Sequence, residues 1–235
     1  MWDFIPMLFM LTRVVVADID CSQSPFSRCI LPKLFQMIPD SKVEYDKICP
    51  ELKNYVLCLK EYQDTCVTEN KVIFDREEIY HSIYTLFSEL CDEGTVLNAV
   101  VTENLRCFNR TFSSTRCFES TNEVVSSYDS SKVSTLEGES HYNSVQFQCL
   151  KDILDVGCVI EDISKNCGAL AKVATLEFIH RSYFFEYSCS ANDAKLISRR
   201  INNYEMSEDQ LEFLTFVLHS IIEKEDILPT IPKFK

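Results

Sequence analysis

Apolar positions recur at intervals of three and four along most of this chain, the mark of helices that each bury one face. Across residues 71–91 the stripe runs Val72, Ile73, Ile79, Tyr80, Ile83, Leu86, Phe87 and Leu90. Across residues 49–66 it runs Leu52, Val56, Leu59 and Tyr62, with Pro50 where a first helical turn tolerates a missing N–H. Residues 149–167 and 169–189 repeat this pair of helices. Later, Ser207-Glu208-Asp209-Gln210 reads as a capping box, in which the Ser hydroxyl and the Gln amide satisfy two free backbone donors. Leu211, Leu214, Leu218 and Ile221 then form a buried face, and Pro229 and Pro232 follow the helix. No segment alternates with period two for long enough to require a sheet, so the expected fold class is all-α. Residues 119–144 break the pattern. They are crowded with Ser and Thr, contain Gly138, and are expected to form a flexible insertion.

Twelve cysteines punctuate these helices in two matching sets of six. Cys21, Cys29, Cys49, Cys58, Cys66 and Cys91 are followed by Cys107, Cys117, Cys149, Cys158, Cys167 and Cys189, at offsets of 86, 88, 100, 100, 101 and 98 residues. Such a repeat predicts one disulfide-stapled helical unit used twice, over residues 18–105 and 106–190, with a C-terminal helix and tail over 191–235. The helical pattern also constrains the pairing. Cysteines eight or nine residues apart on one helix are separated by about 12–13.5 Å, beyond the roughly 7 Å Cα separation a disulfide allows. Cys49, Cys58 and Cys66 must therefore each take one of Cys21, Cys29 and Cys91, which reduces fifteen pairings to six. Antiparallel helices favour matched separations, and Cys21 to Cys29 spans eight residues, as does Cys58 to Cys66. The expected bonds are Cys21–Cys66, Cys29–Cys58 and Cys49–Cys91, then Cys107–Cys167, Cys117–Cys158 and Cys149–Cys189.

Regularly spaced, even-numbered cysteines persist as disulfides in an oxidising compartment. The first residues suggest the route: residues 4–16 are mostly apolar, and Val15-Val16-Ala17 offers small residues for cleavage before Asp18. Residues 1–17 are thus expected to be a signal peptide, although Asp3 stands in place of a basic start and Arg13 interrupts the apolar run. No later apolar run approaches the ~20 residues needed to span a bilayer. The formal net charge of −13 argues against nucleic acid and anionic lipid surfaces as partners.

Cys49-Pro50-Glu51-Leu52-Lys53 continuing to Cys58 and Cys66, then Leu90-Cys91, Cys107-Phe108-Asn109, Cys149, Cys158 and Cys167-Gly168-Ala169, together resemble secreted, cysteine-rich helical proteins of arthropods and nematodes. That group includes the insect haemolymph glycoprotein family and the nematode domain of unknown function number nineteen. The resemblance covers nearly all of the mature chain. It implies an extracellular, glycosylated protein of unassigned activity, and brings no catalytic residues with it.

Motifs for chemistry are missing. There is no Gly-x-Ser-x-Gly elbow, and Gly94, Gly138, Gly157 and Gly168 are too scattered to cradle a phosphate. His-Glu-x-x-His and Cys-x-x-Cys are absent, as is EF-hand spacing among Glu77-Glu78, Asp92-Glu93 and Glu161-Asp162. His81 and His180 occupy comparable places in their units, with no nucleophile or carboxylate fixed beside them. No cofactor, metal or catalytic residue is expected. Arg199-Arg200 reads as two arginines on an exposed helix in preference to a processing site for a secretory protease. Asn109-Arg110-Thr111 is a sequon, making Asn109 the expected glycan acceptor. Phe178, Tyr183, Phe184, Phe185 and Tyr187 form an aromatic helix, and Phe213 and Phe216 lie in the last one; such rings fill a core or line an apolar cavity. The expected function is a secreted, non-enzymatic protein that binds an extracellular partner through residues 119–144. The alternative is a carrier of an apolar small molecule, distinguished by a bound organic ligand or an enclosed apolar pocket of several hundred Å³.

Overall fold

The computed structural model describes residues 21–66, 72–126 and 144–227, and among these there are helices and no strands. In chain order they are α1 (Pro25–Arg28), α2 (Lys42–Ile48), α3 (Pro50–Thr65), α4 (Glu77–Cys91), α5 (Val96–Ser114), α6 (Cys117–Ser126), α7 (Ser144–Cys167), α8 (Ala169–Arg181), α9 (Phe184–Ser188), α10 (Ala191–Arg200) and α11 (Glu208–Ile227). Short 3₁₀ turns lie at Lys33–Phe35 and Ile201–Asn203. The fold is all-α, stapled by six disulfides. No helix among the described residues is long and apolar enough to cross a membrane.

The six bonds join Cys21 to Cys66, Cys29 to Cys58, Cys49 to Cys91, Cys107 to Cys167, Cys117 to Cys158 and Cys149 to Cys189. In each set the first cysteine meets the fifth, the second the fourth and the third the sixth. The reason is geometric. Cys58 sits mid-helix in α3, with Cys49 and Cys66 at its two ends, and Cys149, Cys158 and Cys167 are spaced the same way along α7. Each of these helices therefore points its three sulfurs at three different neighbouring segments.

Local chemistry sets the helix starts. Ser41, Thr95 and Ser190 cap α2, α5 and α10 by accepting from the backbone N–H three residues on. The capping box before α11 is formed in full: Gln210 N donates to Ser207 Oγ at 3.3 Å, and Ser207 N donates to Gln210 Oε1 at 3.0 Å. Leu214, Leu218 and Ile221 are buried along that helix.

Three sequence expectations need correction. The stripe across 71–91 does not start a helix at Val72; α4 begins at Glu77. Ahead of it, Gln63 of α3 holds an irregular turn, its Oε1 accepting from Ile73 N at 2.8 Å and Phe74 N at 2.7 Å. That side chain gives two backbone donors a partner outside any helix. The segment 169–189 is not one helix. It ends at Arg181, passes through Tyr183 in the left-handed conformation (φ 55°), and resumes as α9. Arg181 is tied to α4, while Cys189 must return to Cys149 on α7, so one straight rod cannot meet both demands. Finally, residues 119–126 belong to α6, which buries Cys117, Thr121 and Val125 at a spacing of four. Residues 127–143, the rest of the expected insertion, lie outside the described residues, as do the expected signal peptide and Pro229 and Pro232.

Packing joins the two cysteine sets. The core beneath α3 and α4 contains Leu52, Val56, Ile83, Leu86 and Leu90, and it also takes Ala174 and Phe178 from α8. Phe87 and Phe178 stack with centroids 6.2 Å apart. A second core gathers Leu150, Ile153 and Leu154 of α7 with Ala194 and Ile197 of α10 and Leu214 and Leu218 of α11. Phe108, Cys117, Val159, Ile163 and Ala171 form a smaller cluster where α5, α6, α7 and α8 meet.

Candidate functional site

A cavity of about 280 Å³ lies where the two cysteine sets meet. Helix α5 presents Val101, Leu105, Phe108 and Phe112 to it, at the spacings of four, three and four that keep residues on one face. Opposite them, α8 contributes Ala174, Thr175 and Phe178. The floor is Tyr45 of α2, Leu52 of α3 and Leu90 of α4. Leu34, Phe35 and Ile38 close it from a strap, residues 30–40, that links α1 to α2.

The strap is tethered at both ends and in the middle. Cys29, just before it, is bonded to Cys58 of α3. Lys33 N donates to Glu51 Oε2 at 3.0 Å, and this hydrogen bond is the main reason the Glu51 carboxyl is held below its ordinary pKa. At the far end Asn109 Nδ2 donates to Asp40 Oδ1 at 2.7 Å, and Arg106 Nε donates to Asp40 O at 3.3 Å. Of the lining side chains, Phe35 and Phe112 are the most exposed, at 46% and 44%, and they mark where the cavity opens.

The lining has almost no polar group left to offer. The Tyr45 hydroxyl donates to Leu90 O at 2.9 Å, and burial pushes its pKa far above the usual value, so it stays neutral. Thr175 Oγ1 donates to Ala171 O at 2.9 Å. Both hydroxyl protons are thus donated to backbone carbonyls. Among the described residues, no carboxylate, histidine, lysine, arginine or cysteine lines the cavity.

Other candidates fall elsewhere. His81, His180 and His219 are exposed and lie on separate helices, α4, α8 and α11. Cys117, Cys158 and Asp162 have ligand atoms close together, but the two sulfurs are bonded to each other and do not form a thiolate pair. Asp155 of α7 is buried, with one oxygen paired to Lys151 and Oδ1 without a hydrogen-bond partner. Arg199 and Arg200 occupy the last turn of α10. Asn109 is half-buried on α5, and Thr111 of its sequon is 2% exposed, with its hydroxyl accepting from Asn166 Nδ2 at 3.2 Å.

The expected aromatic group is split by the fold. Phe178 alone among its members lines the cavity; Tyr183 packs on the first core, Phe185 meets Phe213 at 6.4 Å in the second, and Phe216 is exposed. The signal missed in the sequence was the α5 stripe Val101, Leu105, Phe108 and Phe112, which carries the cavity's longest wall. No family model, curated protein or solved structure matches this chain.

Proposed function

We propose that this is a secreted, non-enzymatic protein that binds an apolar small molecule in the cavity between the strap, α2, α3, α4, α5 and α8. The observation that carries this reading is the cavity's composition: apolar walls, two hydroxyls whose protons go to backbone carbonyls, and a volume close to the lower end of the ~300–1,000 Å³ range of ligand sites. Six disulfides fit an oxidising extracellular setting. Native mass spectrometry of protein from an oxidising host, with titration of an environment-sensitive apolar fluorophore, tests it. Ala174→Leu fills part of the cavity and should weaken the fluorophore at least tenfold while leaving the helical signal unchanged. Equal affinity in a folded Ala174→Leu variant would count against the cavity as the binding site.

A second reading, an extracellular protein partner, draws support from α8. Leu170, Val173 and Leu176 are exposed on its face away from the core, an apolar stripe with no cover among the described residues. Asn109 remains the glycan acceptor in both readings. Attachment uses Nδ2, the atom that donates to Asp40, and leaves one N–H for that bond. Intact mass before and after an endoglycosidase reads occupancy.

A further inference from the structure

The strap over the cavity is apolar on both of its sides. On the inner side Pro32 and Pro39 are buried, and Leu34 and Ile38 line the cavity. The outer side carries Ile30, Leu31, Phe35 and Met37, all exposed, with Ile30 at 88% and Met37 at 56%. Phe26 of α1, just ahead of them, is exposed as well. A surface segment ordinarily sets an apolar inner side against a polar outer one. Between Ile30 and Met37 this one turns only Lys33 and Gln36 outward as polar side chains. Exposed apolar side chains gathered in this way mark a surface that meets an apolar partner.

Charge separates the strap from the rest of the chain. Asp40 is the only carboxylate from Cys21 to Val43, in a protein with 36, and it accepts from the Asn109 amide at the far end of the strap. Two of the three cations in that stretch are paired: Lys33 with Glu51, and Lys42 with Asp46 and Glu93. The patch is therefore apolar and close to neutral, although the whole chain stands at −13. Phe35 belongs both to this outer side and to the cavity lining, where it marks the opening with Phe112. Whatever covers the strap thus also meets the mouth of the cavity.

We propose that the strap docks this protein on a zwitterionic phospholipid bilayer, with Ile30, Leu31 and Met37 entering the headgroup layer and the cavity mouth turned toward the lipid. A near-neutral patch gains nothing from anionic headgroups, which a net charge of −13 repels. Ile30 stands almost clear of neighbours. A fluid bilayer receives such a protruding side chain without a matching pocket, which a protein partner would have to supply. The docking surface stands on the strap alone. Its use, loading an apolar molecule from the lipid into the cavity, rests on the cavity-binding reading above.

The test is flotation of the full-length oxidised protein with phosphatidylcholine vesicles, before and after endoglycosidase treatment. The protein should float in both states, and Ile30→Asp with Met37→Asp should lower its partition at least tenfold. Neither side chain lines the cavity. That variant should therefore bind the apolar fluorophore with unchanged affinity, yet take it from vesicles at least fivefold more slowly. Leu170→Asp with Val173→Asp, on the exposed stripe of α8, should float like the natural protein. No flotation, flotation only after the endoglycosidase, equal flotation of the strap variant, or loss in the α8 variant instead would each overturn the docking surface. So would a dimer, seen by sedimentation velocity without vesicles, that the strap variant converts to monomer. Flotation by a protein that binds no fluorophore would leave the docking surface standing and overturn the cavity reading.

Discussion

Leu57 and Gly157 each precede the middle cysteine of a helix, Cys58 on α3 and Cys158 on α7, and their surroundings are opposite. Leu57 is 44% exposed, whereas a Cβ added at Gly157 would lie 2.6 Å from the Phe213 ring of α11. The second half of the chain uses that position to seat a helix; the first leaves it to solvent. The contrast extends to the segments ahead of the long helices. Cys21 and Cys29 flank the four-residue α1 and lead into the strap, while Cys107 lies within the nineteen-residue α5 and Cys117 opens α6. The same disulfide connectivity thus fastens short, irregular chain in one half and long helices in the other. Disulfides fix which segments meet, and the side chains around them decide what those segments become. One consequence is the cavity, which takes its strap and floor from the first half, the α8 wall from the second, and an α5 wall whose Val101 and Leu105 fall in the first half and Phe108 and Phe112 in the second.

The comparison is tested most severely by removing one bond from each half. Cys49→Ala with Cys91→Ala, and Cys149→Ala with Cys189→Ala, should each cost about 2–5 kcal/mol. Because Ala174 and Phe178 of α8 belong to the core under α3 and α4, both variants should lower a single calorimetric transition. Two transitions, with only one displaced in each variant, would show that the halves fold independently.

Smaller effects distinguish the two helix faces. Gly157→Ala forces the Phe213 ring to move and should cost about 1–3 kcal/mol, the usual penalty for overpacking. Leu57→Ala, at the matching position, should change stability by no more than about 0.5 kcal/mol, as exposed substitutions do. Chemical denaturation of the two variants measures both. Equal costs would mean that the two faces are not as different as the packing indicates.

The smallest effect concerns an ion pair that bridges the halves. Arg181 of α8 donates to both oxygens of Glu89 on α4, at 2.6 and 3.1 Å. These hydrogen bonds, against a smaller opposing effect of burial, hold the Glu89 carboxyl below its ordinary 4.5. The folded state therefore releases this proton more readily than the unfolded chain. The resulting stability is fully present above the unfolded value and is lost as pH falls through the lower folded value. With Glu89 partly exposed, Arg181→Met should cost about 0.5–1 kcal/mol at pH 7. The deficit should shrink towards acid pH, below about 4.5. A deficit that stayed constant from pH 7 to pH 3 would indicate lost packing by Arg181 and not lost charge pairing.

Much of this architecture was open to inference before any coordinates. Helical periodicity indicated α3, α7 and α11, because a buried face repeats every three or four residues wherever a helix lies on a core. The 1.5 Å rise per residue of a helix cut the cysteine pairings from fifteen to six, and matched separations on antiparallel segments chose among them. The helix starts written as Ser or Thr caps, and the Ser207 capping box, are local interactions between residues three apart. The errors lie where distant segments intervene. Composition marked residues 119–126 as loop, yet Thr121 and Val125 pack on α7 and hold α6 together. The break at Tyr183 answers two anchors, Glu89 and Cys149, which lie 94 and 34 residues upstream of it. The cavity depends on where the strap, α5 and α8 stand relative to one another. Spacing along the chain reports which face of a helix is apolar; only the packed structure decides whether that face meets another side chain or encloses a space, because that depends on how helices far apart in sequence fill the volume between them.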